Sequence, residues 1–129
     1  HVICGYDKVH KFENPKSVNL PKVVVNHSQE LIYISRAVVP GKKSVKSKVN
    51  YLKQVCIYAF NREQLKKYYI KKKKSETEKI EDIEILRFFD LNIKIKMVRL
   101  HSNSIAVDVI GDIKKAEKIL INEKKISRS

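Results

Sequence analysis

Apolar residues fall in short runs between polar stretches, and the spacing inside each run predicts its element. Residues 2–6 are apolar and predict a buried strand, while residues 7–21 are polar, carry two prolines and read as a loop. The β-branched runs 22–26 (KVVVN) and 31–39 (LIYISRAVV) flank a polar turn at 26–30 and predict a hairpin. Residues 40–50 form a basic loop, and 54–60 (QVCIYAF) are apolar at consecutive positions, which predicts a strand covered on both faces.

The period then becomes helical. Asn61, with Gln64 three residues on, predicts a capped helix in which Leu65, Tyr68 and Tyr69 share a face and Lys71 to Lys74 close the C-terminal end. Ser75 and Glu78 form a second capping box, and Ile80, Ile83, Leu86 and Phe89 predict one continuous helix ending near Asn92. Residues 93–100 alternate apolar and polar as a strand does. A short apolar run at 104–107 leads to Asp108, and Ile113, Ala116, Ile119 and Leu120 mark a last helix. Residues 1–121 are expected to form one domain and residues 122–129 a polar, fraying tail. The order of elements predicts an α/β sheet with helices packed on it, and the hairpin as an arm or edge extension.

Composition adds charge and compartment. The formal net charge is +14, and twelve Lys and Arg between Lys42 and Lys74 face only Glu63. A nucleic-acid-binding module is therefore a rival reading, but a solvated Lys-rich surface is preferred, because no aromatic RNA-binding motif or zinc spacing accompanies the charge. Cys4 and Cys56 sit in apolar runs and read as buried free thiols, which fit a reducing cytoplasm, in preference to a disulfide between them. No run reaches membrane-spanning length, so no membrane partner is expected. The chain opens without Met on a strand-like run, which suggests a piece of a longer chain.

Few residues offer chemistry. Asp108 lies between a strand-like run and a helix, where a carboxylate either holds Mg²⁺ or caps the helix. Arg36 stands in an apolar run and either pairs with an acid or grips a carboxylate or phosphate as a fork. Glu81, Glu84 and Arg87 form a third group: Glu84 lies three before Arg87, so it either forms a surface ion pair or points at a ligand's hydroxyls. The four histidines show no metal spacing, and with three glycines there is no phosphate-cradling loop.

Six segments occur in a familiar order: NLPKVVVN, LIYISRAVVP, YLKQVCIYAFNREQL, EKIEDIEILRF, NIKIKMVRL and SIAVDVIGDIKKAEKIL. From about Val2 to Leu120 the chain resembles the CMP-sugar synthetases, cytidylyltransferases of the 3-deoxy-manno-octulosonate type, with the acylneuraminate enzymes as cousins. The resemblance implies the C-terminal portion of a Rossmann-like three-layer α/β/α nucleotidyltransferase fold with a protruding β-hairpin. It implies CMP transfer from CTP to a 2-keto sugar acid with release of pyrophosphate, for lipopolysaccharide or capsule synthesis. It further implies Mg²⁺ as cofactor, CTP and an acidic sugar as partners, and a homodimer.

By motif, Asp108 matches the family's late metal aspartate, Arg36 the arginine of its Ser-Arg pair, Tyr58 its strand tyrosine, and Glu84 and Arg87 its Glu-Gln-Leu-Arg helix. Gln54 stands at a histidine position of the sugar pocket and Ile85 at a glutamine position, so another sugar acid than 3-deoxy-manno-octulosonate is an open choice. Ala59 and Phe60 replace Gly and Tyr, and Val109-Ile110-Gly111 replaces Thr-Pro-Glu. The family's CTP loop precedes these segments, so the chain alone is expected to be inactive. A non-catalytic dimerisation module is the remaining rival.

Overall fold

The computed structural model describes residues 1–101, 107 and 110–126. Five strands form one mixed sheet: β1 (Val2–Lys8), β2 (Lys22–Val25), β3 (Leu31–Ser35), β4 (Leu52–Ala59) and β5 (Ile95–Arg99), in the order β3-β2-β4-β1-β5. β1 runs parallel to β5 and antiparallel to β4. The predicted hairpin is present as β2 and β3 at the sheet edge. Its turn is anchored: Met97 N donates to Gln29 O at 2.7 Å, the Tyr6 hydroxyl to Gln29 Oε1 at 2.8 Å, and Lys94 pairs with Glu30 at 3.0 Å.

Val2, Cys4 and Tyr6 of β1 and Ile95 and Met97 of β5 place their side chains in one core. The helical segment from residue 76 to 90 covers that face with Ile83, Ile85, Leu86 and Phe88. On the opposite face Ile3, Ile57 and Val98 remain 40%, 60% and 43% exposed. The apolar run of β4 is therefore not covered on both faces, and Cys56 is an exposed thiol, against the expectation from its neighbours. The register between β1 and β4 jumps from Cys4↔Tyr58 to Gly5↔Val55, a bulge on β4. Gly5 makes room for it: a Cβ there would come 2.7 Å from Leu100 Cδ1 and 3.0 Å from Val55 O.

Both capping boxes form as the sequence predicts. α1 (Arg62–Ile70) starts with Gln64 N donating to Asn61 Oδ1 and Asn61 N donating to Gln64 Oε1. α2 (Glu76–Glu81) starts with the same exchange between Ser75 and Glu78. The faces differ from expectation. α1 buries Gln64 and leaves Leu65 and Tyr69 exposed, and Lys72 to Lys74 lie beyond its end at the Lys71 cap.

The predicted continuous helix breaks. Asp82 adopts the left-handed conformation (φ 50°) and ends α2, and the chain continues as one 3₁₀ turn (Glu84–Leu86) and α3 (Arg87–Asp90). Asp tolerates that conformation better than most residues. The break turns Ile80 to solvent and carries Ile83, Ile85 and Leu86 into the core. Asn92 is left-handed as predicted, and β5 is shorter than the alternating run. The last helix, α4 (Ile110–Ile126), runs through the stretch expected to fray.

Candidate functional site

Arg36 lies just beyond β3, which ends at Ser35 rather than at Val39. Its guanidinium donates to three backbone carbonyls: Nε to Glu81, Nη1 to Val18 at 2.8 Å and Nη2 to Asp82 at 3.1 Å. Its own N–H and the Ser35 hydroxyl donate to the two Glu81 carboxylate oxygens. Its carbonyl accepts from Nζ of Lys22, which is fully buried and also donates to Ser17 O. Burial lowers the Lys22 pKa, and the Glu81 charge opposes that shift. Arg36 thus ties the hairpin to the end of α2, two residues before Glu84. A guanidinium has five N–H bonds, so two are left for a ligand.

Gln54 and Tyr58 lie four apart on β4. Gln54 Nε2 donates to the Tyr58 hydroxyl at 2.6 Å and also approaches Cys4 Sγ at 3.9 Å. The Tyr58 pKa is raised, first by burial, then by the Cys56 and Cys4 thiols and the Glu84 carboxylate. Burial pushes the Cys4 thiol up to about 12 against the Gln54 bond, which lowers it. Cys4 is therefore a neutral core side chain at physiological pH.

Glu84 opens the 3₁₀ turn and is exposed. The surface ion pair that its spacing to Arg87 suggests does not form. Arg87 instead donates from Nε to Glu78 Oε2 at 2.6 Å and from Nη2 to Glu78 Oε1 at 2.5 Å. Glu78 is fully buried, and the Arg87 guanidinium lies 4.0 Å from the centre of the Tyr68 ring. The hydrogen bonds from Arg87 hold the Glu78 carboxyl below its usual range, and the same bonds raise Arg87. Nine residues separate this pair, so no helical spacing announces it. Only the break at Asp82 folds Arg87 back onto α2.

Gln54 and Tyr58 are thus bonded to each other, the Glu84 charge acts on Tyr58, and Arg36 holds the segment that leads to Glu84. Sequence reasoning took Glu78 for a cap alone, named Tyr68 only as sharing a helix face, and grouped Glu81 with Glu84 and Arg87 without giving it a partner. Asp108 lies outside the described residues. Among the described residues no three His, Cys, Asp or Glu side chains group to hold a metal ion. No helix among them is long and apolar enough to cross a membrane.

Comparisons with known proteins agree with this architecture. A 3-deoxy-manno-octulosonate cytidylyltransferase of Flavobacterium johnsoniae is 34% identical over 110 residues, covering 85% of this chain and 43% of the relative. The namesake of Bdellovibrio bacteriovorus is 34% identical over 115 residues, covering 86% of this chain and 46% of the relative. The solved structure of a CMP:2-keto-3-deoxy-manno-octonic acid synthetase complexed with CTP superposes with a TM-score of 0.77 at 29% identity, covering 95% of this chain and 49% of that one. The chain therefore spans about half the length of the relatives it matches, and its α/β sheet corresponds to part of their nucleotidyltransferase fold. The family model described as Cytidylyltransferase matches residues 4–114, and the chain belongs to that family.

Proposed function

We propose that this chain is the sugar-acid-binding portion of a cytidylyltransferase that transfers CMP from CTP to 3-deoxy-manno-octulosonate or a related 2-keto sugar acid. The family match over residues 4–114 carries this reading; it includes Gln54 and Tyr58, which bond to each other, and Glu84, whose charge acts on Tyr58. In the reaction the anomeric hydroxyl of the sugar attacks the α-phosphorus of CTP. A new P–O bond forms, the bond to the β-phosphate oxygen breaks, pyrophosphate leaves and the hydroxyl proton is released.

The residues divide the work by chemistry. The Glu84 carboxylate accepts hydrogen bonds from sugar hydroxyls. Gln54 and Tyr58 present an amide and a phenol that both donate and accept. The two N–H bonds left on Arg36 suit the sugar carboxylate. Mg²⁺ on Asp108, with phosphate oxygens and water completing its shell, belongs to the same proposal and would neutralise phosphate charge. CTP is assigned to the portion of the relatives that this chain does not cover. Two chains forming a homodimer and a cytoplasmic setting complete the reading.

A fusion of this chain to the portion of the Flavobacterium johnsoniae relative that it does not match tests the proposal. With CTP, Mg²⁺ and the sugar acid it should release pyrophosphate, and Asp108→Asn should abolish release. Full activity of that variant removes the metal assignment. No turnover with any 2-keto sugar acid removes the proposal.

A further inference from the structure

Glu84 and Arg87 are three residues apart, the spacing at which opposite charges on one helical turn meet. In this fold they do not meet, although the Glu84 charge contributes to raising Arg87. Arg87 is held on its other sides by three of its five N–H bonds and by a ring. Two of its N–H bonds go to the buried Glu78 carboxylate, a third reaches Lys71 O at 3.4 Å, and its plane lies over Tyr68. Glu78 in turn is locked, because its backbone N–H and one carboxylate oxygen are already committed to the Ser75 capping box. The turn between them is fixed by Ile83, Ile85 and Leu86, which are 3%, 2% and 0% exposed. Glu84 is the polar residue of that turn; its carbonyl accepts from the Arg87 N–H, and its side chain has no hydrogen bond or ion pair among the described residues.

We propose that Glu78 is a positioning residue: by taking both forks of Arg87 it keeps that guanidinium off Glu84 and leaves the Glu84 carboxylate open to a ligand's hydroxyl groups. The ligand half of this statement rests on the sugar-acid reading above. The structural half does not. Remove the Glu78 charge and Arg87 loses its strongest partner; of the carboxylates three residues away, Asp90 is paired with Lys71, and Glu84, whose charge already reaches Arg87, has no ion pair. Arg87 and Glu84 then pair, and the acceptor that should meet the sugar is occupied. The effect of Glu78 on binding therefore runs through Arg87, so deleting Arg87 as well should undo it.

The test uses this chain, ¹⁵N-labelled, as wild type, Glu78→Gln and Glu78→Gln/Arg87→Gln, with 3-deoxy-manno-octulosonate as the probe. Amide dispersion first establishes that each variant is folded. In Glu78→Gln the Arg87 Nε proton should lose its contacts with residue 78 and gain contacts with Glu84. Sugar affinity should fall about tenfold or more, the worth of a hydrogen bond to a charged group. The double variant should recover to within about threefold of wild type.

An Arg87 side chain that stays away from Glu84 in Glu78→Gln overturns the proposal, whatever the sugar does. So does a double variant that binds as weakly as the single one, since that is the behaviour of a merely structural ion pair. A wild-type chain that binds no sugar acid, while Arg87 moves to Glu84 as stated, overturns the sugar reading and leaves the positioning role standing.

Discussion

Two arginines hold this chain together in opposite ways. Arg36 is half-buried at the end of the hairpin and spends its guanidinium on neutral carbonyls from three residues. Arg87 is buried against a single carboxylate, with side-chain exposures of 11% and 1% for the pair. The Arg36 seat spreads its energy over several modest hydrogen bonds to neutral carbonyls near the surface. The Arg87 seat concentrates its energy in one charge pair whose members cannot be removed separately at low cost. The first arrangement can hold a scaffold and still meet a ligand. The second serves the scaffold and leaves the neighbouring Glu84 open.

Breaking the Arg87 seat should have the largest effect on stability. Glu78→Ala removes the buried carboxylate that seats Arg87 and should cost about 3–5 kcal/mol, read from urea unfolding. A loss below about 1 kcal/mol would show that water reaches Arg87. The pH dependence has a definite sign. The Glu78 carboxyl is lowered in the folded chain, so its contribution is present above the ordinary carboxylate pKa and fades as pH falls below it.

Breaking the Arg36 seat should cost less. Arg36→Ala removes three hydrogen bonds to carbonyls that sit partly in water and should destabilise by about 2–3 kcal/mol. The sharper variant is Arg36→Lys, which keeps the charge but loses the fork. It should lower the melting temperature and weaken sugar-acid binding together, whereas a purely structural Arg36 would change the melting temperature alone.

The core thiol gives a third, alkaline signature. Cys4 is raised from 9.0 to about 12 in the folded chain. Above pH 9 the unfolded chain releases this proton and the folded chain keeps it, so stability should fall as pH rises, by about 1.4 kcal/mol per pH unit at most from this group. Cys4→Ala should flatten that slope in unfolding measured from pH 9 to 11. The smallest stability effect belongs to the site itself. Tyr58→Phe loses one hydrogen bond from Gln54 and should cost about 1 kcal/mol, yet weaken sugar-acid binding about tenfold. Equal affinity for the two proteins would take Tyr58 out of the pocket.

Sequence reading reached some of these features and missed others for physical reasons. The capping boxes at Asn61 and Ser75 were legible because a cap is local: donor and acceptor lie three residues apart. The hairpin was legible for the same reason. The single helix from Ser75 was misread because Ile80, Ile83, Leu86 and Phe89 match a helical period whether or not the backbone breaks among them. The gain from burying Ile83, Ile85 and Leu86 in the core decides for the break at Asp82. Cys56 was misjudged because an apolar run states what can be buried, not how many faces of the sheet are covered.

By itself, then, the sequence determined the capping boxes, the hairpin, the family, and Gln54, Tyr58 and Glu84 as candidates, since each rests on short-range spacing or ordered motifs. Only the tertiary structure decided which charge meets which. Spacing offered Glu84 as the partner of Arg87, and the fold chose Glu78, nine residues away. A guanidinium pairs with the carboxylate that packing brings to it in a buried place, where the Coulomb interaction is least screened by water.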